Sequence, residues 1–315
     1  MSEPRGSGFD FSRYVSRQKR EAYGGEEGPR YAYSADLTML AAFRRMKPVE
    51  LAAAAIVRMY KDVLKNQLLG TMTRVGPKQF PSIYRIAEDC AKTLSVPVPT
   101  VYVANNPFVN AYTFGTEEDS FIVVHSALID HFDEGELRFV IGHETGHIQN
   151  KHVIYGTILQ LLKTTLVGML RVILPPVEIA LHAWYRRAEI TCDRAGLLCC
   201  KSVEVASRSF LKMACGSHKL YAELDIESYL EQLDEGRSGM GRFAEVFASH
   251  PYLPKRIQAL RVFAESDVYK QALGQGKGIS MEEVDEKTSE IIQIVKGKSD
   301  GAQGKDTDPK EGGES

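Results

Sequence analysis

The chain lacks the cysteine pattern of an extracellular scaffold. Its five cysteines (Cys90, Cys192, Cys199, Cys200 and Cys215) are odd in number and include an adjacent pair, so a disulfide framework is not expected and a reducing compartment is. Excess charge is missing as well: a formal net charge of -2 argues against a nucleic-acid partner held by bulk electrostatics. The polar start, Met1 to Gly8, runs into Arg13, Arg17, Lys19 and Arg20 rather than an apolar stretch. No signal peptide is expected, and a cytoplasmic setting, or the cytoplasmic face of a membrane, is the default. Long charge-free apolar runs are also lacking. The most apolar region, residues 153–174, is interrupted by Lys163 and Arg171, short of the ~18–20 residues a spanning helix needs. What is present is ordinary for a globular protein: 43% hydrophobic and 25% charged residues in 315, enough for one sizeable core with appendages.

Against that plain background residues 143–147 stand out, reading His-Glu-Thr-Gly-His. On a helix, two histidines four apart differ by about 40° around the axis, so both imidazoles can share one metal ion. Glu144 lies about 100° from His143, close enough to reach a water at that metal without binding it. This is the arrangement that splits a peptide bond: zinc acidifies a water and a carboxylate takes its proton. A helix start is legible just upstream, where Asp133 with Glu136 three residues on forms a capping-box variant. From there Leu137, Val140, Ile141 and Glu144 keep helical spacing. A catalytic zinc usually has three protein ligands. His152, five residues after His147, would fall about 140° away on a continued helix and point elsewhere. Glu189 and Asp193 are four apart, so a second helix can present one carboxylate to the metal while the other orients an imidazole.

These segments together resemble the HtpX and CAAX prenyl endopeptidase type of zinc metallopeptidase. HETGH at 143–147 followed by Glu189-x-x-x-Asp193 is similar to that family's metal motif. Pro97–Ala104 with Asn110-Ala111-Tyr112, Val123–Ile129, and Ser249-His250-Pro251 continuing to Arg256 resemble its flanking strands and its C-terminal His-Pro-x4-Arg signature, in the family's order. The resemblance covers about residues 80–265. It implies a zinc endopeptidase with one Zn2+ per chain, His143, His147 and Glu189 as ligands, and Glu144 as base. It also implies that the 250–256 segment lies near the metal. There His250 or Arg256 can donate to an oxyanion, or Arg256 can brace the acidic ligands; the alternative is a helix-capping turn with Arg256 solvated. Many members of the family carry clear transmembrane helices, which this chain does not show.

The expected fold is α+β and mainly α-helical, zincin-like, with a small sheet beside the active-site helix. Residues 1–30 and 298–315 read as disordered, 31–75 as an N-terminal helical segment, and 76–297 as the metallopeptidase domain. Helices are expected over 37–46, 49–69, 81–94 and 281–295. Strands are expected at Thr100–Ala104, Ala111–Phe114 and Phe121–His125, the last two joined as a hairpin through 116–119. By the resemblance, this sheet edge holds a peptide or unfolded protein substrate as an added strand. Residues 153–174 form an amphipathic helix ended by Pro175-Pro176, with Thr157, Gln160, Lys163, Thr164 and Arg171 on its polar arc; core packing, self-association and peripheral membrane contact all suit it. Two function classes follow: a zinc endopeptidase with a role in protein quality control, or a latent or non-catalytic protein of the same fold acting as a regulatory or membrane-associated scaffold.

Overall fold

The computed structural model describes residues 28–45, 55, 66, 70–117, 119–162, 175–235 and 251–293. The expected tails up to residue 27 and beyond 293, nearly all of the helix expected over 49–69, the stretch 163–174 and His250 lie outside the described residues. The architecture is α+β and mainly helical, with one small four-stranded sheet.

After α1 (Ser34–Arg45) come β1 (Met72–Arg74), α2 (Pro81–Thr93), β2 (Thr100–Ala104), β3 (Ala111–Gly115) and β4 (Ser120–His125). The sheet order is β1-β2-β4-β3. β2 and β4 run parallel at its centre, and β3 folds back antiparallel on β4 with Thr113 opposite Ile122. The central run Phe121–Val124 is wholly buried because both faces are covered. Alternation sends Val101, Ile122 and Val124 into the main helical core, while Tyr102, Phe121 and Val123 join Phe114 in a smaller cluster on the other face. The three-residue β1 was not anticipated: Met-Thr-Arg carries no alternating apolar signal, and its pairing with β2 supplies its only order in the sheet.

A short α3 (Ser126–His131) leads to α4 (Glu134–Gln149). The capping box is present: the Asp133 side chain accepts from the Glu136 N–H at 2.9 Å, and the Glu136 carboxylate accepts from the Asp133 N–H at 2.8 Å. Glu136 is also buried against Arg208 and Lys212, so this cap is tied into the core. α4 ends at Gln149, Lys151 turns into the left-handed region (φ 61°), and α5 (Val153–Leu162) begins. Pro175 and Pro176 open the next helix, α6 (Pro175–Cys200), as suits prolines whose missing N–H groups fall where a helix leaves them unused. Beyond α6 the chain turns at Lys201 (φ 57°) and at Gly216, giving α7 (Val203–Cys215), α8 (His218–Tyr221) and α9 (Ile226–Glu235). α10 (Leu253–Ala264), α11 (Asp267–Ala272) and α12 (Met281–Ile292) complete the described chain.

α4 and α6 pack along their length, and their approach is set by glycine. A Cβ at Gly142 would stand 2.7 Å from Cys199 Cβ, one at Gly146 2.8 Å from Ala195 Cβ, and one at Gly196 2.7 Å from the Phe139 carbonyl oxygen. The last contact is with backbone, which cannot swing aside. Gly196→Ala should therefore destabilise the protein by about 1–3 kcal/mol through overpacking. A thermal unfolding midpoint lowered by several degrees is the expected reading; an unchanged midpoint would mean that the helix pair has slack.

Candidate metal centre

His143, Glu144 and His147 sit on the buried middle of α4, and Tyr185, Glu189, Cys192 and Asp193 on the facing stretch of α6. Helical spacing sets His143 edge-to-face against His147 with ring centroids 5.0 Å apart. Their Nε2 atoms turn toward one carboxylate: His143 Nε2 is 3.5 Å from Glu189 Oε2, and His147 Nε2 is 3.3 Å from Glu189 Oε1. Ligands bound tetrahedrally at about 2.0–2.1 Å stand roughly 3.3–3.4 Å from one another, so these spacings are those of a metal's coordination edge. Cys192 also comes close, with His143, His147 and Cys192 each placing one ligand atom within 4.8 Å of the others. Its sulfur, however, lies 3.6 Å from His152 Nδ1, on the side where His147 presents its Nδ1 edge. Burial, with the charges of Glu189, Asp36 and Glu144, pushes the Cys192 thiol well above its usual range.

Each polar group of the cluster is held from behind. Asp193 Oδ1 lies 3.0 Å from His143 Nδ1, which leaves that ring's Nε2 facing Glu189. Arg256, on α10, forks onto Asp193 through Nε at 2.8 Å and Nη2 at 2.6 Å, and the same Nη2 reaches Glu189 Oε2 at 3.1 Å. Its guanidinium covers the Phe210 ring at 4.7 Å. Burial opposes charge on Arg256, but Asp193 and Glu189 outweigh it and hold the guanidinium above its normal range. So Arg256 is buried on the acids, not solvated. Glu144 accepts the Thr113 hydroxyl on Oε2 at 2.6 Å, joining the base candidate to β3. Tyr185 stacks on His147 at 5.5 Å with planes 9° apart. Burial pulls the His147 imidazole down, yet the Glu189 carboxylate, 3.3 Å from its Nε2, lifts it above the ordinary histidine value. Among the described residues, the buried carboxylates of Glu144, Glu189 and Asp193 gather here with the buried guanidinium of Arg256. The formal surplus of negative charge suits a divalent cation.

The position expected for His152 is corrected. Because α4 stops at Gln149, the angular extrapolation of the helix does not apply; the Asn150-Lys151 turn folds His152 back, and its N–H donates to the His147 carbonyl at 2.9 Å. Its ring then faces His147, Nδ1 to Nδ1 at 3.3 Å, and its Nε2 lies 3.1 Å from Asp36 Oδ2. Three neighbours of the centre escaped the sequence reading: Asp36, Thr113 and Tyr185. Tyr185 had a usable signal, since it precedes Glu189 by one helical turn. Asp36 and Thr113 had none, being an ordinary first-turn acid and an ordinary strand threonine. His250 lies outside the described residues.

Comparison with known proteins bears on the family. The family model described as "Peptidase family M48" matches residues 77–264. A plastoglobule-localized, chloroplastic metallopeptidase 48 of Arabidopsis thaliana is 32% identical over 187 residues, covering 58% of this chain and 54% of that protein. The chain thus spans about half the length of that relative. A protease HtpX homolog of Caldanaerobacter subterraneus is 24% identical over 229 residues, 60% of this chain and 76% of the relative. One of Streptococcus uberis is 36% identical over 81 residues, 25% and 27% of the two chains. No helix among the described residues is long and apolar enough to cross a membrane.

The buried acid–arginine knot generates a stability prediction. Arg256→Leu leaves Asp193 and Glu189 without their cation in a site both share at about 1% exposure. Removing one partner of such a pair costs about 3–5 kcal/mol, and Arg256→Lys should recover only part, because an ammonium cannot form the fork. Urea unfolding of metal-free protein measures this. A loss below about 1 kcal/mol would show that the carboxylates are compensated in another way.

Proposed function

The chain belongs to peptidase family M48, and from that premise and the site's geometry we propose that it is a zinc-dependent endopeptidase acting on peptides or unfolded protein segments. The observation that carries this reading is the turn of both histidine Nε2 atoms onto one Glu189 carboxylate, with Glu144 on the same helix and hydrogen-bonded to the neighbouring strand. His143, His147 and Glu189 hold the metal. Zinc there supplies a Lewis acid that polarises the scissile carbonyl and lowers the pKa of an attacking water.

The remaining work falls to the chain's own groups. Glu144, steadied by Thr113, takes the water's proton and delivers it to the leaving amine. Asp193 keeps His143 oriented through Nδ1, and Arg256 braces Asp193 and Glu189 against their mutual repulsion. In this role Arg256 is a positioning residue, while the oxyanion donor suggested by the sequence falls to His250. Substrate lies along β3, the edge strand of the sheet, whose Ala111 and Tyr112 are only partly covered. The strand's far end is closed by α5, because the Gly115 N–H and C=O both meet Thr157 Oγ1, at 3.2 and 3.3 Å. Main-chain pairing on the open part gives affinity without demanding a sequence, which fits a quality-control protease. We place it in the cytoplasm or on the cytoplasmic face of a membrane.

Two variants test the assignment. Glu144→Gln should retain close to one zinc per chain and lose turnover of an unfolded substrate such as casein by at least ~100-fold. Glu189→Ala should lose both zinc and activity. Metal analysis beside a casein assay reads both; an active, zinc-replete Glu189→Ala protein would remove Glu189 from the site.

A further inference from the structure

The family match begins at residue 77, yet a residue of α1 reaches the back of the centre. Asp36 is fully buried and accepts two hydrogen bonds, with the His152 ring at ion-pair distance. Trp184 Nε1 donates to its Oδ1 at 2.9 Å, Thr191 Oγ1 donates to its Oδ2 at 2.7 Å, and His152 Nε2 stands 3.1 Å from the same Oδ2. At 3.1 Å a lone pair on His152 Nε2 would face the lone pairs of the carboxylate oxygen, whereas an N–H there is attracted to it. The hydrogen of the His152 ring therefore sits on Nε2. An imidazole with its hydrogen on Nε2 presents a lone pair at Nδ1. Opposite that lone pair, at 3.3 Å, is His147 Nδ1. Cys192 reaches the same nitrogen only at 3.6 Å and with the weaker S–H donor. His147 then donates from Nδ1, and its own lone pair is left on Nε2, the atom that faces Glu189.

We propose that Asp36 and His152 are positioning residues that act through His147: an Asp36–His152–His147 chain, begun by a segment outside the matched family region, fixes the tautomer in which His147 can bind a metal. The two ligand histidines are thus held in different ways. Asp193 carries out this role directly for His143, whereas for His147 the carboxylate lies one imidazole further away. The stretch before α1 is anchored to suit: the Tyr33 N–H donates to Thr191 Oγ1 at 3.1 Å, and Asn150 Nδ2 donates to the Tyr31 hydroxyl at 3.0 Å. Removing an outer hydrogen-bond partner of a ligand histidine typically weakens metal affinity ~10–100-fold.

The inference rests on His147 being a ligand, and the test separates the two claims. Zinc affinity of the full chain is measured by chelator competition, with the cobalt-substituted visible spectrum and metal-free thermal unfolding on the same preparations. Wild type should bind one zinc and His147→Ala should not; tight, unaltered binding by His147→Ala would overturn the ligand assignment itself. Given that result, Asp36→Asn and His152→Phe should each lose ~10–100-fold in zinc affinity and shift the cobalt bands. Thr191→Val removes one donor to Asp36 but leaves the chain intact, so it should lower the unfolding midpoint and keep zinc affinity within ~3-fold, well inside that range. Wild-type affinity and an unchanged cobalt spectrum in folded Asp36→Asn and His152→Phe would overturn the proposal. Should those variants not fold, long-range proton–nitrogen spectra of zinc-loaded wild type decide it. Hydrogen on His152 Nε2 and His147 Nδ1 supports the chain, and hydrogen on His152 Nδ1 overturns it.

Discussion

The close packing of α4 on α6 is the constraint on which the rest depends. Two histidines one turn apart can share an ion only if a third donor arrives from outside their helix, and the distance of that donor is the distance between helix axes. Glycines at 142, 146 and 196 let the backbones meet, to the point that a single added methyl would touch a carbonyl or a neighbouring Cβ. The Glu189 carboxylate is thereby brought to 3.3 and 3.5 Å from the imidazole nitrogens. Larger residues at those positions would move Glu189 away from a site whose chemistry is sensitive to tenths of an ångström.

Drawing helices together in this way concentrates negative charge where water is scarce. Asp36, Glu144, Glu189 and Asp193 are all buried within the same region, and burying carboxylates is tolerable only when each finds donors or cations. The fold supplies these from distant parts of the chain. Arg256 comes from α10, Thr113 from β3, and Trp184 and Thr191 from α6 itself. The ends of the described chain close over this arrangement. Tyr33 meets Ser289 at 2.6 Å, and Arg194, stacked under the rings of Tyr33 and Phe263, pairs with Asp285 at 2.8 Å. The first and last described segments thus hold the helix that carries Glu189, although both fall largely outside the region shared with the family.

The parts of this picture that are local in sequence were legible there. The Asp133–Glu136 cap, the one-turn spacing of His143 with His147 and of Glu189 with Asp193, and the β3–β4 hairpin each follow from residues within a few positions of one another. His152 was misplaced for a local reason too, because an angle was carried past the last helical residue into the turn at Lys151. The pairs that were not legible are those joined only by folding. Asp36 meets Trp184 across 148 positions, and Thr113 meets Glu144 across 31, with no periodicity to announce either. A buried aspartate in the first turn of a helix looks the same in sequence as a solvated one that merely favours the helix dipole.

The central claim is that the metal lies among two imidazoles and the Glu189 carboxylate, with the Cys192 sulfur beside it but not bound. X-ray absorption at the zinc edge of the loaded protein tests this most directly, because zinc–sulfur bonds near ~2.3 Å are resolved from nitrogen and oxygen bonds near ~2.0–2.1 Å. The account predicts a coordination shell of nitrogen and oxygen only, unchanged by Cys192→Ser. A sulfur neighbour at the longer distance, lost in Cys192→Ser, would contradict it and move the third ligand from Glu189 to Cys192.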